Sequence, residues 1–96
     1  MRRDHVLRVL GEHKGEFARF GVKSLSIFGS VARDEARDDS DLDVLVEFEG
    51  RLSYDRYCGV RFFIEDLLGQ KVDFVPAKDL RPAVRPYVER DAIRVA

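Results

Sequence analysis

Two aspartates stand one residue apart, Asp41 and Asp43, where the charged stretch 33–39 gives way to the apolar run 42–48. On a strand, positions two apart point to the same side, so these carboxylates share a face. Two like charges there cannot both ionise cheaply without a cation between them. A hard divalent ion such as Mg²⁺ suits the pair, because it takes a few carboxylate oxygens and leaves positions for water and substrate phosphate. A basic side chain or bulk water would also relieve the repulsion, by pairing or by hydration. A third acid, Asp73, sits between Val72 and Phe74 in the short apolar run 71–75 and points away from both. If the two runs pair, all three acids converge on one side of a sheet. Upstream, Gly29-Ser30 closes another apolar run. A glycine at that turn lets the backbone approach a ligand, the start of the following helix favours phosphate, and Ser30 adds a hydroxyl. A phosphate cradle, a carboxylate pair for Mg²⁺ and a third acid to accept a proton are the equipment expected for nucleotidyl transfer from a nucleoside triphosphate.

Plainer readings exist for each residue. Asp41 and Asp43 could be a solvated turn-to-strand boundary capped by Ser40, Asp73 an exposed strand acid, and Arg33 a surface partner of Glu35. What weighs against them is the combination, since Gly-Ser, Asp-x-Asp and a later strand acid rarely coincide without a shared purpose.

Elements must carry these residues. Asp4 is placed to cap a first helix whose apolar positions Val6, Leu10, His13, Phe17 and Phe20 follow helical spacing up to the stop at Gly21. Gly11 and Gly15 weaken it internally. Residues 24–28 read as a strand ending at Gly29, 31–37 as a brief helix, 38–40 as a turn and 41–48 as an alternating strand with Leu42, Val44 and Val46 on one face. Ser53 caps a helix from Tyr54 to Leu68, with Tyr57, Val60, Ile64 and Leu67 inward and Gly69 as its stop. Residues 71–75 form a third strand, Pro86 suits the first position of a tail helix, and 92–96 a last strand. Strands separated by helices predict an α/β fold, a short mixed sheet with helices packed against it, in one domain over residues 1–96. Tyr54, Cys58 and Phe62 fall off the inward stripe of the long helix, which Phe63 and Leu68 widen further, so that helix is expected to meet a partner or a second copy of the chain. Cys58 reads as inert packing.

The 96 residues carry 17 Lys+Arg against 18 Asp+Glu, a net charge of −1. That balance argues against affinity built on a broad basic face, so a nucleic-acid partner is not expected. A single cysteine and the lack of any signal-like or membrane-length apolar run lead to a cytoplasmic expectation with no membrane role.

The stretch "GSVARDEARDDSDLDVLV", Gly29 to Val46, resembles the signature of the DNA polymerase β-type nucleotidyltransferase superfamily, and in its extended form is similar to the minimal nucleotidyltransferases (MNT) encoded beside HEPN-domain partners. The resemblance implies Gly29 and Ser30 at the triphosphate of ATP, with Arg33 steadying phosphates. It implies Asp41 and Asp43 as Mg²⁺ ligands and Asp73 as a third ligand or general base. It further implies transfer of AMP to a tyrosine of a HEPN toxin, the chain serving as antitoxin. Two other readings accompany it, neutralisation by occlusion without catalysis and transfer to a small molecule such as an aminoglycoside. The sequence departs from the family form at Asp34, where that form has glycine. Aspartate tolerates a left-handed turn, and its charge is expected near the phosphate entrance.

Overall fold

A computed structural model describes residues 2–37, 40–51 and 53–96. The expected turn at 38–40 therefore lies mostly outside the described residues. The chain runs α1 (Arg3–Gly11), α2 (Lys14–Arg19), β1 (Val22–Phe28), α3 (Gly29–Ala32), β2 (Leu42–Phe48), α4 (Tyr54–Leu68), β3 (Val72–Pro76), a 3₁₀ turn at Ala77–Asp79, α5 (Arg85–Asp91) and β4 (Ile93–Arg94). The four strands form one mixed sheet in the order β3-β2-β1-β4. β1 lies antiparallel to β2 and to β4, while β2 and β3 run parallel. A parallel neighbour requires a crossover, and α4 supplies it.

The alternation read in residues 42–48 appears directly. Leu42, Val44 and Val46 are buried beside Leu25 and Ile27 of β1 and Val72 and Phe74 of β3. Val6, Leu10 and Phe17 of the first two helices and Val60 and Ile64 of α4 complete the same core. The helices thus cover one face of the sheet, and the acids of β2 and β3 occupy the other.

The first helix differs from expectation. It is two helices, broken at Glu12 and His13, with Gly11 ending the first. Low propensity at Gly11 and Gly15 lets tertiary packing choose the break. His13 then turns its ring edge-on to Phe63 at 5.6 Å between centroids, as Phe17 does. Asp4 is not the cap. Arg2 holds that position without a side-chain bond, and Asp4 lies in the first turn. The helix expected over 31–37 is also shorter and earlier, Gly29–Ala32, because Asp34 turns the chain at φ 60°. α4 has the expected bounds, with the Ser53 hydroxyl accepting from the Arg56 N–H at 3.2 Å and Gly69 left-handed at φ 60°.

β3 lies at the sheet edge. The Lys71 carbonyl accepts from the Leu42 N–H of the β2 side, so by alternation Val72 and Phe74 turn their polar groups outward. Side chains of α4 take both: Glu65 accepts from the Val72 N–H at 3.0 Å, and Tyr57 donates to the Phe74 carbonyl at 2.6 Å. Pro76 ends the strand without a donor. These contacts and Pro76 blunt this edge against strand addition.

Arg56 is the structural residue that pattern reasoning passes over. Its guanidinium donates to the carbonyls of Phe20, Gly21, Glu49 and Arg51, at 2.7 to 3.1 Å, and lies over the Phe48 ring. It ties the turn before β1 to the end of β2 and the start of α4. Gly21 must be glycine beneath it, since a Cβ there would overlap the guanidinium. Arg56→Ala is expected to lower unfolding free energy by about 3 kcal/mol, because a charged fork leaves several carbonyls unsatisfied at once. Urea denaturation would measure this, and Arg56→Lys, with a point charge for a planar fork, should recover only a minor part.

Candidate active site

The site is built where three strands present their polar faces side by side. Phe28, the last residue of β1, pairs with Asp43 on β2, and Asp43 pairs with Asp73 on β3. Gly29 follows Phe28 at once, so the Gly29-Ser30 turn and Asp73 flank Asp43 from its two neighbouring strands. Gly29 has φ 73°, and a Cβ on it would run into the Asp43 carboxylate. The glycine is there for two reasons, then: a left-handed backbone and space for an acid.

Asp43 is half-buried, and its carboxyl is pushed up from 3.8 to about 6. Burial contributes most, followed by the charge of Asp73 and a hydrogen bond to it, then the charge of Asp41, while Arg33 opposes them. The physical content is a carboxylate pair on adjacent strands with too little water around one member. Asp41 lies just before β2 and is exposed. Its backbone is held from both sides, since the Gln70 side chain donates to the Ser40 carbonyl at 2.7 Å and the Leu42 N–H to the Lys71 carbonyl. Ser40 does not cap the strand. Its hydroxyl accepts from the Arg37 N–H at 2.9 Å and closes the base of the preceding loop.

Among the described residues no three His, Cys, Asp or Glu side chains are gathered closely enough to hold a metal ion unaided. The expected set of three ligands is thus a close pair, Asp43 and Asp73, with Asp41 beside it. That pair fits Mg²⁺, which accepts one or two carboxylates and fills its octahedron with water and substrate phosphate. A cation there would relieve the repulsion that raises the Asp43 carboxyl.

Arg33 carries its charge into an ion pair. Its guanidinium donates to Asp91 at 2.8 Å and to Glu35 at 3.1 Å, and both acids raise its pKa. The contact with Asp91 ties the residue after α3 to the end of α5, which packs against α3 and β1. No spacing in the sequence connects positions 33 and 91, and Gln70 is likewise invisible to pattern reasoning.

Asp34 takes the left-handed conformation expected of it, φ 60°. Its carboxylate, however, turns toward the start of α1, where it accepts from the Arg3 N–H at 3.5 Å. It is also not among the charges that shift Asp43. Asp34→Gly should therefore leave turnover within roughly twofold of the parent. Asp34→Ala, with a Cβ in a left-handed turn and no acceptor for Arg3, should lose about 1 kcal/mol in thermal denaturation.

A cleft of about 340 Å³ lies further along the same two strands, lined by Val46, Phe48, Pro76, Lys78 and Arg85 among others. It is separate from the acids, three register steps beyond Asp43 and Asp73.

A model of the nucleotidyltransferase domain matches residues 10–95. The chain belongs to the nucleotidyltransferase family. This nucleotidyltransferase is 37% identical over 93 residues to the protein adenylyltransferase MntA of Thermococcus cleftensis, an alignment covering 96% of this chain and 94% of the relative. A solved minimal nucleotidyltransferase, 39% identical, matches with a TM-score of 0.85 across 97% of this chain and 95% of the other. More distantly, the fold recurs in the complex of the tri-AMPylated HEPN toxin with the MNT antitoxin of Shewanella oneidensis. That match has 14% identity, a TM-score of 0.65 and coverage of 94% of this chain and 71% of the other. At that identity the likeness is one of fold. The protein is a minimal nucleotidyltransferase, as the Gly29-Ser30 and Asp41-x-Asp43 spacing implied. No helix among the described residues is long and apolar enough to cross a membrane.

Proposed function

We propose that the enzyme transfers AMP from ATP to a tyrosine hydroxyl of a HEPN-type partner protein, in the cytoplasm, and so acts as the antitoxin of a toxin–antitoxin pair. The observation that carries the reading is the meeting of Gly29, Asp43 and Asp73 on one open sheet face, a left-handed glycine turn against a carboxylate pair. The likeness to a protein adenylyltransferase across nearly the whole chain supports a protein acceptor.

In this reading the backbone at Gly29 and the Ser30 hydroxyl hold the triphosphate. Asp43 and Asp73, with Asp41 alongside, hold Mg²⁺, which when bound neutralises charge building on the α-phosphate and the departing pyrophosphate. Asp73, exposed on β3, accepts the acceptor's hydroxyl proton while that oxygen bonds to the α-phosphorus. Arg33 steadies the phosphates by exchanging its longer contact, to Glu35, while Asp91 keeps its side chain in place.

The test is incubation of the enzyme, the co-expressed HEPN-type partner, Mg²⁺ and ATP labelled in the α-phosphate. Label should appear on a partner tyrosine by mass spectrometry, and the Asp41→Ala/Asp43→Ala double variant should transfer none. Neutralisation of the partner by that variant, with no modification found, would replace catalysis by occlusion as the mechanism.

A further inference from the structure

The cleft of about 340 Å³ at the far ends of β2 and β3 takes no part in the chemistry proposed above. Two cations line it. Lys78 stands in the 3₁₀ turn just past β3, and Arg85 opens α5. Arg85 is steadied there, since its guanidinium donates to the Ala77 carbonyl at 3.4 Å and lies 3.5 Å from Glu89, which is outside the lining. Lys78 is exposed and makes no ion pair among the described residues. The acid in the lining, Glu47, is engaged by the Ser24 hydroxyl, which donates to it at 3.1 Å.

Between this cleft and the acids the same sheet face is apolar. Leu45 and Val75 stand opposite one another in register, two positions beyond Asp43 and Asp73 and on their side of the sheet. Both are half-buried. Two strand positions span about 6.7 Å, close to the length of a tyrosine side chain. A tyrosine whose hydroxyl reaches Asp73 can lay its ring on Leu45 and Val75, and its backbone then arrives at the cleft. ATP does not account for the cations. In the proposed reading its triphosphate sits at Gly29-Ser30, on the β1 side of Asp43, and its nucleoside carries no anion.

We propose that the cleft receives an acidic residue flanking the acceptor tyrosine of the partner protein, its carboxylate held between Lys78 and Arg85. The proposal rests on the reading that the acceptor is a partner tyrosine, and it adds what sets that tyrosine apart from others. A tyrosine with a basic neighbour would bring like charges together in the cleft, which discriminates by repulsion as well as by attraction.

The test uses the full chain, the co-expressed HEPN-type partner and ATP labelled in the α-phosphate. Lys78→Glu/Arg85→Glu should raise the KM for the partner by about tenfold or more. The KM for ATP, the kcat at saturating partner and the far-ultraviolet circular dichroism should stay those of the parent. The Kd for the partner, measured by calorimetry without ATP, should rise by a similar factor, and salt should weaken binding more steeply in the parent than in the double variant. A carbodiimide, which takes up the water lost as a carboxylate and an amine condense to an amide, should join Lys78 to an aspartate or glutamate of the partner. Mass spectrometry should place that acid within a few residues of the labelled tyrosine, and its replacement by lysine should restore transfer by the double variant. A raised KM for ATP would assign the cleft to the nucleotide and overturn the proposal. Partner KM and Kd that do not move, or a cross-link mapping far from the tyrosine, would overturn it equally. An unlabelled partner that still shows the Kd shift and the cross-link would overturn the transfer reading and uphold the acidic contact.

Discussion

Asp43→Asn should give a protein that is more stable and almost inactive. At neutral pH the parent holds Asp43 ionised in a half-buried position against Asp73 and Asp41, with its folded-state pKa near 6 against 3.8 for a free side chain. A carboxyl raised on folding binds its proton more tightly in the native state. Its stabilising share is present below about 3.8 and is lost as pH rises through about 6. Asparagine keeps the shape and removes the charge. The Tm of Asp43→Asn should therefore exceed that of the parent at pH 7.5, and the gap should shrink toward pH 4. Mg²⁺ should raise the parent's Tm at neutral pH and leave the variant's nearly unmoved, while nucleotidyl transfer falls on the order of 10³-fold. A variant less stable than the parent at pH 7.5 would mean that the acids are already relieved by other groups.

Gly29→Ala is the second large effect, and its two consequences should separate. The backbone at φ 73° disfavours alanine by about 1 to 2 kcal/mol. The new methyl would also occupy the space of the Asp43 carboxylate. That carboxylate is a side-chain end, so it can rotate aside, and the fold survives. In the proposed reading rotation takes it away from the Mg²⁺ it would hold, and a misplacement of about an ångström is worth roughly a hundredfold in rate. Modest loss in denaturation with a hundredfold loss in turnover is the expected pattern. Combining Gly29→Ala with Asp43→Asn should add little to either single loss of activity, because both act on one carboxylate. Strictly additive losses would show that Gly29 serves the phosphates alone.

The placement of the acids was legible because it depends on local spacing. Alternation alone put Leu42, Val44 and Val46 inward and Asp43 outward, and a glycine before a short helix marked the turn at Gly29-Ser30. The α4 boundaries were legible for the same reason, a serine cap and a glycine stop at the ends of one apolar stripe. Local rules failed where packing outweighed a weak preference. Gly11 and Gly15 left the first helix free to break, so that His13 and Phe17 could both reach Phe63. Asp34 ended α3 early and turned its charge to α1, away from the phosphate entrance the sequence had suggested for it.

What the sequence determined by itself was the α/β class, which rests on periodicity, the face that the acids share, which rests on alternation, and the family, which rests on the resemblance carried by Gly29 to Val46. Tertiary structure decided which acids meet. Asp43 and Asp73 are 30 positions apart, and only the parallel register of β2 and β3 sets them opposite one another. It also decided that Arg33 answers to Asp91 and that Arg56 reaches the carbonyls of Phe20 and Gly21, 36 and 35 positions away. These are long-range contacts chosen by the whole core, and no spacing along the chain encodes them.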